Sequence, residues 1–516
     1  MAKVHKILWI DDEIELLKPL FLFLEKKGYS LTGVPSGTDA LSLLEQEPFD
    51  AILLDENMPG ISGIETLLQI KRKQSTIPVI MVTKSEEEEL MDKAISSKIA
   101  DFLIKPVNPN QLLLSLKKIL RSDTLIEQAT ISGYSQAFSR IASQLQGSLA
   151  LDEWKKLYTE LTRWSLEIEQ YSPEMHEMYA MQHREAELLF CRYIKTQYPE
   201  WLCKKRERPM MSPDLFPKKV FPILAEGEKL FFILIDNFRL DQWLAVQDLV
   251  CEFFTAQEDL YTAILPTVTQ YARNALFSGL MPAEIARTFP HLWVDEESEE
   301  GKNLNEAPLI QSMLDRYKLS YRFSYNKVYD ARYGEKLLSK LDELAEYPLN
   351  VLVFNFVDML SHARTESKMI RELAHDESAY RSLTRSWFKH SSIIRFFEKI
   401  ASLGYKVVLT TDHGCIRVNN PIKIIGEKNT GTNLRYKLGR HLTYNPEEVF
   451  DIADPNQYGL PKSRISDRFV FCTDNNFFAY PNNYNYYVSY YKDTFQHGGI
   501  SMEEMLIPCI TLTPKA

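Results

Sequence analysis

"KVVLTTDHGC" (residues 406–415) runs as an apolar strand directly into an acid and a histidine, then a glycine. Three other apolar segments of the last three hundred residues lead into residues of metal-ligating type. "KLFFILIDNFRLDQW" ends its run at Asp236, "NVLVFNFVDMLSH" supplies Asp358 with His362 four residues on, and "TFQHGGISMEEMLIP" sets His497 beside two glycines. Strand ends of a parallel sheet face one crevice. Asp236, Asp358 and Asp412 with His362, His413 and His497 would meet there, and three acids with three histidines can bind two Zn²⁺ ions.

A further stretch, "LPTVTQYARNALFSG" (265–279), brings a hydroxyl to the head of a small-residue, helix-like segment. A bound metal can withdraw such a proton to give an alkoxide nucleophile, and a helix amino end favours phosphate. Thr267 and Thr269 both fit this position. Arg239 and Arg273 are candidate phosphate contacts, because guanidinium matches phosphate oxygens bidentately.

The first 120 residues alternate five short apolar runs ("KILWI", "YSLTGV", "FDAILLD", "IPVIMVT", "ADFLIKP") with amphipathic stretches, among them "ELLKPLFLFLEKKG", "EEEELMDKAISSK" and "NQLLLSLKKIL". This is the pattern of a doubly wound parallel (βα)5 sheet with its site at the carboxyl ends of the strands. Polar residues close the runs: Asp11 and Asp12 the first, Asp55 the third, Thr83 the fourth and Lys105 the fifth. Asp11, Asp12 and Asp55 make an all-oxygen cage that suits Mg²⁺ with phosphate as co-ligand. Lys105 and Thr83 can then bind the oxygens of a transferred phosphoryl group.

Between these halves, residues 121–205 show helical spacing (Trp154, Leu157, Leu161, Trp164, Ile168) with a break at Pro173, which predicts a small helical bundle. His176 and His183, seven apart on a charged helix face, read as solvated. The segment "CKKRERPMMSPDLFPKK" marks a boundary, and the third unit spans 206–516 as a larger α/β domain.

The chain has 516 residues, 45% hydrophobic and 25% charged, and a net charge of −10, which disfavours long duplex DNA as the main partner. No apolar run reaches the length of a membrane span, no signal peptide is evident, and six cysteines without CxxC pairing fit a reducing cytoplasm.

"DDE", "LLDENMPGISG", "MVTKS" and "FLIKPV" together resemble the receiver domain of bacterial response regulators. That resemblance implies Asp55 as phosphoacceptor, Asp11 and Asp12 as Mg²⁺ ligands, Thr83 and Lys105 as switch residues, and Phe102 as the switch aromatic. The order of acid, "PTVT", Asp with His at i+4, "TTDHG" and "HGGIS" resembles the alkaline phosphatase superfamily, in its PglZ branch. It implies one zinc at Asp236, Thr269, Asp412 and His413, a second at Asp358, His362 and His497, and Thr269 as nucleophile of a phosphodiesterase. The combination resembles PorX-type response regulators of type IX secretion. The implied partners are a sensor histidine kinase, a secretion-motor component, an extracytoplasmic-function sigma factor and a phosphorylation-promoted homodimer. The implied substrate is a short oligonucleotide or cyclic nucleotide, a choice to which the aromatic run "NNFFAYPNNYNYYVSYYKD" adds rings for stacking. A metal-braced signalling scaffold and a phosphomonoesterase are the alternative outputs.

Overall fold

The computed structural model describes residues 4–73, 77–84, 99–203, 208–295, 301, 303–426, 431–462, 464 and 466–515. The amphipathic stretch at 86–98 lies outside the described residues. The described chain divides into two compact units between Gly133 and Tyr134.

In the first unit the five apolar runs become β1 (His5–Ile10), β2 (Tyr29–Val34), β3 (Ala51–Asp55), β4 (Val79–Thr83) and β5 (Asp101–Ile104). They pair in parallel in the order β2-β1-β3-β4-β5. β3 and β4 are buried along their whole length. Alternate residues serve two cores: Leu8, Ile52, Leu54 and Met81 pack on one face, and Ile7, Trp9, Leu53 and Val82 on the other. This two-sided burial explains the near-continuous apolar runs.

The helix Pro109–Leu145 closes the first unit and runs on into the second. Leu112, Leu113 and Leu116 belong to a receiver-side core, whereas Tyr134, Ile141 and Leu145 belong to the core of the second unit. Helices Leu151–Tyr171 and His176–Cys203 follow, separated at Pro173 as the sequence predicts. The expected bundle over 121–205 is not a separate globule. Trp154, Phe190 and Tyr198 share one continuous core with the strands that follow them.

The main sheet of the second unit contains β6 (Leu230–Ile235), β7 (Phe254–Thr262), β8 (Phe323–Val328), β9 (Leu349–Phe354), β10 (Lys406–Thr410) and a late strand. Smaller strands intervene in the chain: β11 (Ile416–Arg417), β12 (Asn420–Lys423), β13 (Tyr436–Gly439), β14 (Val449–Ile452), β15 (Arg468–Cys472), β16 (Asn476–Ala479) and β17 (Phe495–Gln496). The late strand is β18 (Leu506–Pro514). The order is β7-β18-β10-β6-β9-β8. β10, β6, β9 and β8 run parallel, and β18 and β7 add antiparallel strands at one edge. β6 and β9 are wholly buried, so their carboxyl ends deliver polar residues into an enclosed place. The aromatic run folds as β16 and then a helix over Tyr484–Tyr491.

Candidate dinuclear metal centre and phosphoacceptor site

Two adjacent parallel strands set the first cluster. Asp236 directly follows β6, and Asp412 and His413 follow β10 by one residue. All three are buried, and donor atoms from each lie within 4.8 Å of one another. His413 Nε2 is 3.8 Å from Asp236 Oδ1 and 3.9 Å from Asp412 Oδ2. The other ring nitrogen, Nδ1, lies 3.1 Å from the Gly414 carbonyl oxygen. A carbonyl only accepts, so Nδ1 carries the proton and Nε2 presents its lone pair to the cluster.

The second cluster is Asp358, His362 and His497. Asp358 sits in the first turn of the helix Phe356–Glu366 after β9, and His362 lies one turn on, so both project from one helix face. His362 Nε2 is 3.4 Å and His497 Nε2 3.6 Å from the Asp358 carboxylate. The two clusters adjoin, since the His413 and His497 rings stack with centroids 4.3 Å apart. Asn237 Nδ2 donates to Asp358 Oδ1 at 3.3 Å and holds it from behind.

Thr269 joins the first cluster. It is the first residue of the helix Thr269–Ser278, whose amino end has no side-chain cap. Its Oγ1 is 3.1 Å from His413 Nε2 and 3.5 Å from Asp236 Oδ1. Thr267 is turned away and fully buried. Its Oγ1 donates to the Gly499 carbonyl at 3.0 Å and accepts from Gly498 N at 3.0 Å, which pins the turn beside His497. Chain geometry thus separates two threonines that the sequence leaves as competitors.

The electrostatics suit divalent cations. Burial pushes the Asp236 carboxyl well above its ordinary value, and Asp412 and Asp358 push it further, against the pull of Arg273. Burial also raises Asp412, but Arg273 and His413 outweigh it and leave that carboxyl below its ordinary value. Burial drives His497 well down, with His413 and His362 adding to the effect, so its ring is neutral near pH 7. Buried acids that repel each other beside the neutral His497 ring form a donor set that a cation relieves.

Both candidate phosphate arginines are committed elsewhere. Arg273 is fully buried; its Nε donates to Asp412 Oδ2 at 2.9 Å, Nη2 pairs with Asp236, and Nη1 reaches Glu306 at 3.3 Å. It neutralises the floor of the first cluster and cannot turn to a substrate. Arg239 is 2% exposed and grips Asp241 through two nitrogens at 2.9 and 2.6 Å while also pairing with Glu377. An arginine next to a ligand-bearing strand looks like a phosphate contact until its carboxylate partners, distant in sequence, come into view.

His176 is exposed, as are His291, His375, His390 and His441. His183 departs from the solvated reading: it is partly buried, with Nε2 3.2 Å from Glu503 Oε1. The buried pair Arg435–Glu504 also escaped sequence reasoning. Glu504 accepts from Arg435 Nη2 at 2.6 Å, from Gly499 N at 2.8 Å and from Ser501 Oγ at 2.7 Å, which braces the turn after His497.

In the first unit, Asp11, Asp12 and Asp55 present donor atoms within 4.8 Å of one another, with Asp12 exposed and the other two buried. Lys105 Nζ reaches Asp11 Oδ2 at 2.7 Å and Asp55 Oδ2 at 3.0 Å. Asp55 Oδ1 is buried with no hydrogen-bond partner, an oxygen suited to a cation or an incoming phosphorus. Burial raises the Asp55 carboxyl against the opposing pull of Lys105. Thr83 is buried at the end of β4, and Phe102 is half-buried against the core that holds Ile52 and Met81.

Residues 7–117 match the response regulator receiver domain, 124–202 the PorX response regulator linker domain, and 215–512 the BREX system PglZ alkaline phosphatase-like domain. The first segment is 35% identical over 116 residues to the transcriptional regulatory protein ResD of Bacillus subtilis, covering 22% of this chain and 48% of that protein. It is 39% identical over 120 residues to the CpxR homolog of Haemophilus influenzae, covering 23% and 51%. The chain thus spans about half the length of these curated relatives. A solved structure of Vibrio cholerae chemotaxis protein CheY4 is 28% identical and covers 23% of this chain and 100% of its own, with a TM-score of 0.22. Receiver and alkaline phosphatase-like domains typically use divalent metals. Among the described residues no helix is long and apolar enough to cross a membrane. With receiver, linker and output segments in this order, the chain belongs to the PglZ alkaline phosphatase-like family and is built as a PorX-type response regulator.

Proposed function

We propose that the protein is a two-component response regulator, phosphorylated on Asp55, whose output is a zinc phosphodiesterase acting on short oligonucleotide or cyclic nucleotide signals. The observation that carries the enzymatic half is Thr269. A hydroxyl at an uncapped helix start lies against His413 at 3.1 Å and Asp236 at 3.5 Å, beside a second cluster of His and Asp. A purely structural metal site is closed by protein ligands and has no use for a nucleophile at its edge.

Asp236, Asp412 and His413, with Thr269, would hold one zinc, and Asp358, His362 and His497 the other. When bound, such a pair supplies Lewis-acid activation and charge stabilisation for in-line displacement at phosphorus. Attack by Thr269 Oγ1 forms its bond to phosphorus as the bond to the leaving oxygen breaks. Water then hydrolyses the phosphothreonine ester and restores the hydroxyl. The helix amino end favours the anionic group throughout. Arg273 pairs with Asp236 and Asp412 and holds both in place without touching substrate.

Support for a nucleotide comes from the helix Tyr484–Tyr491. Tyr486 and Tyr487 are exposed, Tyr486 stacks on Tyr490, and Arg371 lies 5.2 Å over the Tyr490 ring. Arg371 belongs to the helix Lys368–Leu373, next in the chain after the helix bearing Asp358 and His362. Exposed rings of this kind stack bases of any identity. In the Mg²⁺-bound receiver, Asp55 would take the phosphoryl group from a sensor histidine kinase. The phosphorylated form would favour a homodimer, and contacts with a secretion-motor component and an extracytoplasmic-function sigma factor would carry the signal to type IX secretion and gene expression.

The test is hydrolysis of a bis-aryl phosphodiester, a phosphomonoester and a short oligonucleotide by zinc-loaded and chelated protein, with Thr269→Val alongside. Zinc-dependent cleavage of diester and oligonucleotide that needs Thr269 is the expected result. Faster turnover of the monoester would replace the diesterase reading. Tight zinc binding without turnover of any of the three would make the domain a metal-braced binding module.

A further inference from the structure

The helix His176–Cys203 presents His183 and Glu187 four residues apart, hence on one face. Opposite them stands Glu503, in the short helix Met502–Met505 that follows the turn carrying His497. Donor atoms of the three residues lie within 4.8 Å of one another. His183 Nε2 and Glu503 Oε1 are 3.2 Å apart.

Glu187 is the unusual member. It is 1% exposed, and only one of its oxygens is occupied: Oε1 accepts from Met502 N at 2.9 Å. Its Oε2 is buried with no hydrogen-bond partner, and so is Oε2 of Glu503. The buried Glu187 carboxylate thus keeps one orphaned oxygen beside a second carboxylate, the partly buried Glu503, which pairs with His183 through its other oxygen. A buried polar atom without a partner is costly, more so when charged, so such an arrangement calls for a ligand. Burial, Glu503 and Asp474 together push the Glu187 carboxyl well up, as a missing positive charge would produce. The cluster lies in the wall of a cavity of about 530 Å³ that His176, Tyr179 and Asp474 also line, which gives an ion an entry path and room for water.

We infer that His183, Glu187 and Glu503 form a third metal site of this chain, for a first-row divalent cation such as Zn²⁺, bridging the middle helices to the turn behind His497. One imidazole and two carboxylates match zinc-type ions, whereas Mg²⁺ and Ca²⁺ prefer oxygen donors alone. The three protein ligands come from two segments more than three hundred residues apart, which a bound ion would tie together, with the cavity leaving room for water as a further ligand. The site touches neither Thr269 nor the two clusters at the strand ends, and it stands whether or not those clusters are catalytic.

The experiment is zinc content per chain, by elemental mass spectrometry after equilibration with buffered Zn²⁺ and gel filtration, for the full-length protein, Glu187→Gln and His183→Gln. Wild type is expected to retain one zinc equivalent more than either variant. The same loss is expected when Glu187→Gln is placed in an Asp412→Asn background, where the strand-end cluster is impaired independently. Equal zinc in wild type and variants overturns the site. Should Glu187→Gln fail to fold, the partly exposed His183 supplies the comparison alone, and equal retention there overturns it as well.

Discussion

Two threonines two residues apart should respond oppositely to the same isosteric change. Thr267→Val removes a fully buried hydroxyl that bonds both Gly498 N and the Gly499 carbonyl at 3.0 Å. Each of those main-chain groups is left unpaired, at about 1–3 kcal/mol apiece, so a loss of about 2–6 kcal/mol of stability is expected. The turn so loosened carries His497, so zinc affinity should fall as well, and added zinc should restore much of the turnover. Thr269→Val removes a half-buried hydroxyl at a helix start and should cost only about 0.5–1.5 kcal/mol. It deletes the proposed nucleophile, and a fall in kcat of about a thousandfold or more is expected, with at most a modest loss of zinc affinity, since Asp236, Asp412 and His413 remain, and no rescue by added metal. The assay pairs thermal melting with diester hydrolysis across a zinc titration. An active Thr269→Val protein beside a fully folded, inactive Thr267→Val protein would refute the assignment of roles.

Arg273→Met should destabilise metal-free protein by about 3–5 kcal/mol, because it strands Asp236 and Asp412 without their buried cation, whereas Glu306 keeps Lys327. Zinc should narrow that gap, and melting with and without zinc checks it. Lys437 is 1% exposed, and burial brings its ammonium down to about 8 from an ordinary 10.5. A lysine lowered on folding costs stability in full below pH 8, and the cost fades as pH rises through 10.5, so Lys437→Met should gain about 1–2 kcal/mol near pH 7 and almost nothing by about pH 11.5. Urea melts at the two pH values measure this, and an equal gain at both would contradict it. Beryllofluoride with Mg²⁺ should raise the mass of the full chain toward a dimer in light scattering, and Asp55→Asn should abolish the response. An unchanged mass for the wild type would remove dimerisation from the mechanism.

Much of this molecule is legible locally. The runs "FDAILLD" and "KVVLTTDHG" declare buried parallel strands because both faces of each strand are covered, and the first polar residue then has to lie at the strand's carboxyl end. Asp55 and Asp412 are therefore placed by their own neighbours in the sequence. From the residues alone Thr267 and Thr269 compete, since helix onset depends on which of them first takes helical backbone, and it is the family resemblance that singles out Thr269. The structure ties Thr267 to Gly498 and Gly499.

The sequence by itself determined the elements, the three-part order and the chemical types at each strand end, because those follow from short-range periodicity and strand termination. Tertiary structure alone decided which charges are spent on one another. Arg273 meets Asp412 across 139 residues, and His183 meets Glu503 from another element altogether. The same holds for the middle helices, whose apolar faces announce burial but not their partner, and which join the core of the output sheet instead of closing on themselves. Hydrophobic patterning states that a face is covered, and charge states that it needs a counterpart. Only the folded chain supplies the identity of either partner, because burial energy and Coulomb attraction act through space and carry no memory of sequence separation.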